Sequence, residues 1–308
     1  MSTELVDPRA SVRAYLEASS SDNTRRAYKS DWADFSTWCD GAGETLLPAT
    51  PISVARYIAQ LADRGIKAST IQRRISAIRA VHVAAGAEPP TNAECVKATM
   101  RGIRRSKGTK PNKKAPATAE ILGRLQALFP DTLTGLRDRA LVLLGFAAAL
   151  RRSELVALDI SDVEVHKKGI LLHIGRSKTD QEGVGVHIPV PRGNALKPVD
   201  ALEAWLQASR ITEGPIFRGI DRHGRIAASA LSDRAVADIV KKVCTAAGLD
   251  ASVFSGHSLR AGFVTSSLDN NVDYFKIMGI TRHVKVDTLK GYDRRESGFD
   301  DHAGEGFL

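Results

Sequence analysis

Apolar positions recur at helical spacing through the first hundred residues. Tyr28, Trp32, Phe35 and Cys39 follow one another at intervals of four, three and four, which places them on one face of a helix. Comparable spacing marks three later segments: Val54 to Leu61, Ile71 to His82 and Val96 to Ile103. The pattern predicts a small bundle of four or five helices.

The pattern changes beyond residue 117. Thr118 is a candidate N-cap for a helix that runs to Leu128. A second helix is predicted at about 136–150, and its residues 140–150 are apolar on all sides, which predicts that it is buried. Two short β-branched segments, 169–174 and 184–190, flank a polar turn and predict an antiparallel hairpin. We expect only helices after the hairpin, in segments 200–209, 231–246, 257–268, 272–278 and 284–292.

A basic stretch that contains Pro and Gly separates the two patterns. From Arg101 to Lys114 there are seven basic residues and no acid, and Pro111 and Pro116 mark an extended connection. We therefore predict a helical domain at residues 1–108, a linker at 109–117 and a second domain at 118–308. The predicted fold is mainly α with a small antiparallel β-sheet.

Charge favours an anionic partner for the helical half. The chain carries 44 Lys and Arg against 35 Asp and Glu, and residues 1–110 hold 17 of these basic residues against 11 of the acids. A stripe of cations could neutralise DNA phosphates and release their counterions, although a solvated basic face is the simpler alternative. The candidate DNA contacts are Arg25, Arg26, Arg73, Arg74, Arg79, Arg101, Arg104, Arg105, Lys113 and Lys114.

The cysteines, the first residues and the apolar runs bear on the cellular compartment. Cys39, Cys95 and Cys244 match neither a disulfide framework nor a zinc spacing, so we expect reduced thiols buried among apolar residues. The first residues lack the basic start and apolar stretch of a signal peptide, and the longest apolar run is too short to span a bilayer. We expect a cytoplasmic protein without a membrane contact.

Candidate chemistry lies mostly near the C-terminus. His257 and Arg260 are three residues apart and would share one face of a helix. Arg151 and Arg260 together could hold the non-bridging oxygens of one phosphodiester, and Glu154 could orient Arg151 by an ion pair. The carboxylates are scattered and form no recognisable metal motif, so we expect neither a metal nor a cofactor.

Tyr292 is the candidate nucleophile for such a phosphate. A phenol has an ordinary pKa of about 10, so attack at neutral pH needs a base or strong charge stabilisation, and His257 and His283 are the available imidazoles. Lys178, in the polar turn of the hairpin, could protonate the leaving oxygen. Taken singly, each residue has a simpler interpretation as a core or solvated side chain. Their order and spacing favour the catalytic one.

With these residues in place, the chain resembles the tyrosine recombinases of the phage integrase family. The family's Leu-Arg-x-Ser-Glu-Leu is matched by residues 150–155, and its His-x-Leu-Arg by residues 257–260. Its second His, followed nine residues later by Tyr, is matched by His283 and Tyr292, and its hairpin lysine by Lys178. The segment that begins Asn-Thr-Arg-Arg near the N-terminus resembles the first helix of the family's core-binding domain.

The resemblance implies a site-specific recombinase that cleaves and rejoins double-stranded DNA through a 3′-phosphotyrosine and a Holliday junction, without metal or ATP. It implies a two-domain clamp around DNA, a homotetramer on paired sites, accessory DNA-bending proteins and a place at the nucleoid. The tail ending in Phe307-Leu308 is a candidate contact with a neighbouring subunit. The implied catalytic residues are Arg151, Lys178, His257, Arg260, His283 and Tyr292, with Glu154 in support.

One position departs from the family pattern, because Thr281-Arg282-His283 stands where many relatives have Leu-Gly-His. Arg282 would then be either a phosphate contact or a surface residue. Two rival functions stay open beside the recombinase. A type IB topoisomerase-like enzyme would share the nucleophile without needing a tetramer, and a non-catalytic DNA-binding accessory protein would need no nucleophile. The complete catalytic set argues against the accessory protein.

Overall fold

Residues 22–108, 114–175 and 185–292 are described by the structure, which is a computed structural model. The internal contacts divide the chain into two units, residues 1–112 and 113–308. The division falls inside the predicted linker 109–117, whose limits stay a prediction.

The N-terminal unit is helical throughout its described part. Each helix contains one of the periodic segments, and Phe35, Ile58 and Ile78 are fully buried in the shared core. The prediction of a helical domain is therefore confirmed. The helices are α1 (Asp22–Ala42), α2 (Pro51–Asp63), α3 (Ala68–Ala84) and α4 (Glu94–Lys107).

The C-terminal unit surrounds a buried central helix, α6. Leu141, Leu143 and Leu144 of this helix are almost wholly removed from solvent, as the apolar run that begins at residue 140 predicted. The described helices of this unit are α5 (Ala119–Leu125), α6 (Leu133–Ala147), α7 (Arg152–Ala157), α8 (Pro198–Ser209), α9 (Asp233–Ala246), α10 (His257–Asp269), α11 (Tyr274–Thr281) and α12 (Val286–Lys290).

This unit contains more antiparallel strands than the sequence predicted. Strands β2 (Gly169–Ile174) and β3 (Val186–Pro191) form the expected hairpin. Strand β1 (Val163–His166), which precedes the hairpin, also pairs with β2. After the hairpin, β4 (Arg218–Ile220) pairs with β5 (Ile226–Ala230), so the expectation of only helices there was wrong. Most residues of β1 and β5 are exposed. The apolar–polar alternation of β1 covers only four residues, and β5 has only alanines and a serine after Ile226, so neither gives the sequence signal of a half-buried strand.

The chain enters the C-terminal unit alongside α10. The backbone N–H groups of Ala115 and Ala117 donate to Val253 O at 2.7 Å and to Ser258 O at 2.9 Å. Gly262 permits this approach, because a Cβ atom there would lie 1.8 Å from Ala117 O. The last residues of the predicted linker are thus fixed to the helix that carries His257 and Arg260.

Two further expectations concern thiols and membranes. Cys39 and Cys244 are buried as predicted, but Cys95 is exposed because it precedes Val96, whose side chain is the one that enters the core. Among the described residues, no helix is both long enough and apolar enough to cross a membrane.

Replacing Gly262 by Ala should destabilise the C-terminal unit. The added Cβ would meet a backbone carbonyl held by the hydrogen bonds beside it, and such overpacking costs about 1–3 kcal/mol. Gly279→Ala in α11 is the matched control, because no described atom lies within 4 Å of its added Cβ. Urea unfolding followed by circular dichroism should show a lower midpoint for Gly262→Ala alone. Equal midpoints would mean that the entry segment moves aside freely.

Candidate active site

Arg260 lies at the centre of the candidate site and is almost completely buried in α10. Its Nη1 donates to Ala149 O at 2.7 Å, and its Nη2 donates to Thr281 O. Burial lowers the pKa of Arg260 to about 10, with Arg151 and Arg282 adding to the effect. The side chain is therefore still a cation at neutral pH, and two carbonyls from separate segments fix its direction.

Arg151 is the N-cap of α7, which corrects the expectation that the buried helix runs to residue 150. Helix α6 ends at Ala147, and a turn with Ala149 in the left-handed region (φ 47°) precedes Arg151. The apolar run concealed this turn because residues 148–150 are themselves buried. The predicted ion pair is present: Arg151 Nη1 lies 2.6 Å from Glu154 Oε1, and Arg151 N donates to Glu154 Oε2 at 2.8 Å.

Glu154 holds a second guanidinium, that of Arg282. The Arg282 Nη2 atom donates to Glu154 Oε2 at 2.7 Å, and both side chains are over nine-tenths buried. Arg282 is therefore not the surface residue that one interpretation expected. Burial alone would raise the pKa of Glu154, but Arg282 and Arg151 outweigh it and lower the pKa, so the group is a carboxylate.

His257 contacts the candidate nucleophile directly. It is the first residue of α10, and its Nε2 lies 2.7 Å from the phenolic oxygen of Tyr292. The outer side of the ring is exposed, whereas desolvation of its inner side and the charge of Arg260 lower its pKa. A neutral ring at pH 7 can accept the phenolic proton.

His283 is held in one tautomer by its neighbour. Its Nδ1 lies 2.9 Å from Thr281 Oγ1, and that hydroxyl donates its single proton to Ile277 O at 2.8 Å. Nδ1 must therefore be the donor, which leaves Nε2 unprotonated in the neutral ring. Burial, followed by the charges of Arg260 and Arg151, lowers the pKa of His283 to about 4.

Tyr292 lies beside both imidazoles. Its ring centroid is 6.0 Å from that of His257 and 5.8 Å from that of His283. Burial raises the pKa of the phenol, against the opposing effect of Arg260 and Arg151. Tyr292 is therefore protonated in the DNA-free protein at neutral pH, and its attack on phosphorus requires a base.

The structure thus brings five of the six candidate catalytic residues together. Lys178 and the C-terminal tail from Asp293 lie outside the described residues, so both assignments stay predictions. Sequence reasoning missed Ala149 and Thr281. Both act mainly through backbone carbonyls, which leave no side-chain signature in a motif.

The cations predicted to contact DNA differ in their surroundings. Arg74 is mostly buried and donates to Asp34 and to the Tyr57 hydroxyl, which gives it a structural role inside the bundle. Arg73 pairs with Asp31 at 2.9 Å and stays half exposed. By contrast, other predicted contacts line one groove of about 500 Å³ between α3 and α4: Arg79, Arg101 and Arg104.

The rest of the predicted contacts are not among the residues that line that groove. Arg25, Arg26 and Arg105 are exposed, and Arg26 donates to Asn23 Oδ1 at 2.6 Å. Lys114 belongs to the C-terminal unit, where it donates to a backbone carbonyl, and Lys113 lies outside the described residues. The groove is therefore the most concentrated set of candidate DNA contacts in the described N-terminal unit.

Comparison with known proteins identifies the family. The model of the phage integrase family matches residues 119–297, and that of its N-terminal SAM-like domain matches residues 13–88. The chain is 44% identical over 294 residues to an integrase/recombinase XerD homologue of Selenomonas ruminantium, with 94% of this chain and 86% of the relative covered. It is 26% identical to tyrosine recombinase XerD of Pseudomonas aeruginosa, with 90% and 88% covered.

Solved structures show the same fold. The Tn1549 transposon integrase, in complex with transposon right end DNA, superposes with a TM-score of 0.67 over 94% of each chain at 12% identity. The extent of the family match and the 44% identical relative are decisive. The chain belongs to the phage integrase family of tyrosine recombinases, enzymes that cleave and rejoin DNA.

Proposed function

We propose that the chain is a site-specific recombinase in which Tyr292 attacks a phosphodiester of duplex DNA. The supporting observation is the 2.7 Å contact between the Tyr292 hydroxyl and His257 Nε2, beside the cations of Arg151 and Arg260. A bond forms between the phenolic oxygen and phosphorus, and the bond from phosphorus to the 5′ oxygen breaks. The product is a 3′-phosphotyrosine and a free 5′ hydroxyl.

Protons and charge are distributed among the neighbouring groups. Neutral His257 takes the phenolic proton, and Lys178, on the turn of the hairpin, gives a proton to the leaving 5′ oxygen. Arg151 and Arg260 stabilise the negative charge on the non-bridging oxygens, which is the largest contribution that a preorganised site can make. Rejoining reverses these steps, so the phosphotyrosine conserves the bond energy and no ATP is needed.

We propose further that strand exchange occurs twice, through a Holliday junction, in a homotetramer on two paired sites, with accessory DNA-bending proteins as additional partners. The names of the integrase and recombinase relatives support exchange over simple relaxation. The topoisomerase-like alternative predicts a different product. A plasmid that carries two sites would be relaxed without yielding recombinant circles.

The N-terminal unit would hold the duplex through its basic groove. Arg79, Arg101 and Arg104 face the same space, so their charges can act on neighbouring phosphates. Phosphate contacts of this kind position the protein, whereas base contacts would select the site.

Tyr292→Phe should abolish the covalent protein–DNA adduct on a nicked suicide duplex that carries the crossover site. The variant loses only the attacking oxygen, so binding in a gel-shift assay should be nearly unchanged. Tyr274→Phe is the matched control, because Tyr274 packs in the same small apolar cluster and should keep the adduct. An adduct that survives in Tyr292→Phe, on denaturing electrophoresis, would refute the nucleophile assignment.

Replacing both Arg101 and Arg104 by Gln should weaken the salt dependence of DNA binding. Each phosphate contact contributes about 0.9 to the slope of log K against log salt, so the slope should fall by about 2. Arg64→Gln at the end of α2 is a control outside the groove-lining set. Fluorescence anisotropy with a labelled duplex measures the slope. An unchanged slope would mean that the groove does not bind phosphates.

In the DNA-free protein, His283 should titrate near pH 4. Burial and the adjacent guanidiniums disfavour the imidazolium, so the folded pKa lies below the ordinary 6.5 and the ring is neutral at pH 7. Proton–carbon NMR of the imidazole signals from about pH 3 to 8 measures this, with His283→Gln to assign the resonance. A midpoint at or above 6.5 would contradict a neutral His283 in the resting site.

A further inference from the structure

Arg282 occupies a backbone position that disfavours arginine. It follows the last residue of α11 with φ 59° and ψ 37°, in the left-handed region that glycine adopts most readily. Its N–H closes the helix by donating to Met278 O at 2.7 Å. Despite its place in a turn, the side chain points inward and is only 8% exposed.

Only part of the hydrogen-bonding capacity of the buried Arg282 guanidinium is satisfied. Its Nη2 donates to Glu154, but its Nε and Nη1 atoms are buried without a hydrogen-bond partner among the residues that the structure describes. Glu154 must also serve Arg151, so one carboxylate is shared by two guanidiniums. With Arg260 alongside, the described part of the site keeps a surplus of positive charge.

The two carboxylate oxygens of Glu154 have different hydrogen-bond partners. Oε1 holds the Arg151 guanidinium at 2.6 Å, while Oε2 accepts from Arg282 and from the Arg151 backbone. Without Arg282, Glu154 would be paired with Arg151 alone. A buried carboxylate then cancels most of the charge that Arg151 offers to a phosphate, and it repels the phosphate itself.

We propose that Arg282 is a positioning residue for strand cleavage. It engages Oε2 of Glu154, so that Glu154 orients Arg151 through Oε1 while the pair of guanidiniums retains a net positive charge for the scissile phosphate. This inference rests on the proposed role of Arg151 as a phosphate ligand. Because its guanidinium is buried, Arg282 acts through Glu154 and does not bind DNA.

Two substitutions separate the charge of Arg282 from its backbone strain. Arg282→Gly removes the charge and suits the left-handed backbone, whereas Arg282→Lys keeps a charge without the planar fork. Arg210→Gly is the matched control. Arg210 follows the last residue of α8 with nearly the same φ, 56°, but it is exposed. Thermal melting should show all three variants folded, and Arg282→Asn, which also removes the charge and tolerates this φ, replaces Arg282→Gly if that variant is unfolded.

The measurement is single-turnover adduct formation at saturating protein on the nicked suicide duplex, together with Kd from anisotropy. We expect Arg282→Gly to slow adduct formation about 10- to 100-fold, by analogy with the loss when a partner that orients a metal ligand is removed. The Kd should stay within about threefold, because the side chain is buried and makes no phosphate contact. Arg282→Lys should recover part of the rate, and Arg210→Gly should match the wild-type chain.

A double-variant cycle tests whether Arg282 acts through Glu154. Glu154→Gln combined with Arg282→Gly should be no slower than Glu154→Gln alone, since the mediating carboxylate is already gone. Additive losses, or a wild-type rate in Arg282→Gly, would overturn the inference. An absent wild-type adduct, or one that survives in Tyr292→Phe, would instead refute the proposed function itself.

Discussion

The candidate site depends on the confinement of three like charges in one largely buried place. Arg151, Arg260 and Arg282 repel one another, and burial removes the water that would screen them. Within the described residues, this repulsion is offset by one carboxylate, Glu154, and by the apolar core that holds α6, α7, α10 and α11 together. A site balanced in this way is short of negative charge. A phosphodiester supplies what is missing, so the fold and its substrate are electrostatically complementary.

The same surplus of positive charge sets the protonation of the reacting groups. It adds to burial in lowering the pKa of His257 and of His283, so both rings are neutral when DNA is absent. Burial meanwhile keeps the Tyr292 phenol protonated. An anionic phosphate beside the guanidiniums would favour the imidazolium and raise the pKa of both histidines. Under the proposed mechanism, the base would therefore become stronger when the substrate arrives, and the nucleophile would not be activated before that.

The sequence predicted the elements that leave a periodic or motif pattern over neighbouring residues. The helices of the N-terminal unit and the buried α6 follow from periodicity, because each places apolar residues against a core. Strands β1 and β5 could not be found in this way, since most of their side chains face solvent. Motif spacing singled out Arg151 and Tyr292, whose catalytic roles stay predictions, but it could not show that the Arg282 side chain is buried. The environment of Arg282 is set by Glu154, 128 positions earlier, and no local pattern records a contact between such distant segments.

The two backbone carbonyls that bind Arg260 explain why sequence motifs locate the site but do not show which groups fix its side chains in place. Thr281 is the last residue of α11, and Ala149 lies in the turn that follows α6, so the carbonyls that bind Arg260 belong to two helix ends. Carbonyls at helix C-termini lack intrahelical partners and carry partial negative charge, which stabilises a buried cation. A carboxylate in their place would bind Arg260 more strongly, but it would also cancel its charge. Backbone acceptors satisfy the N–H groups and would leave the full positive charge for the phosphate in the proposed mechanism.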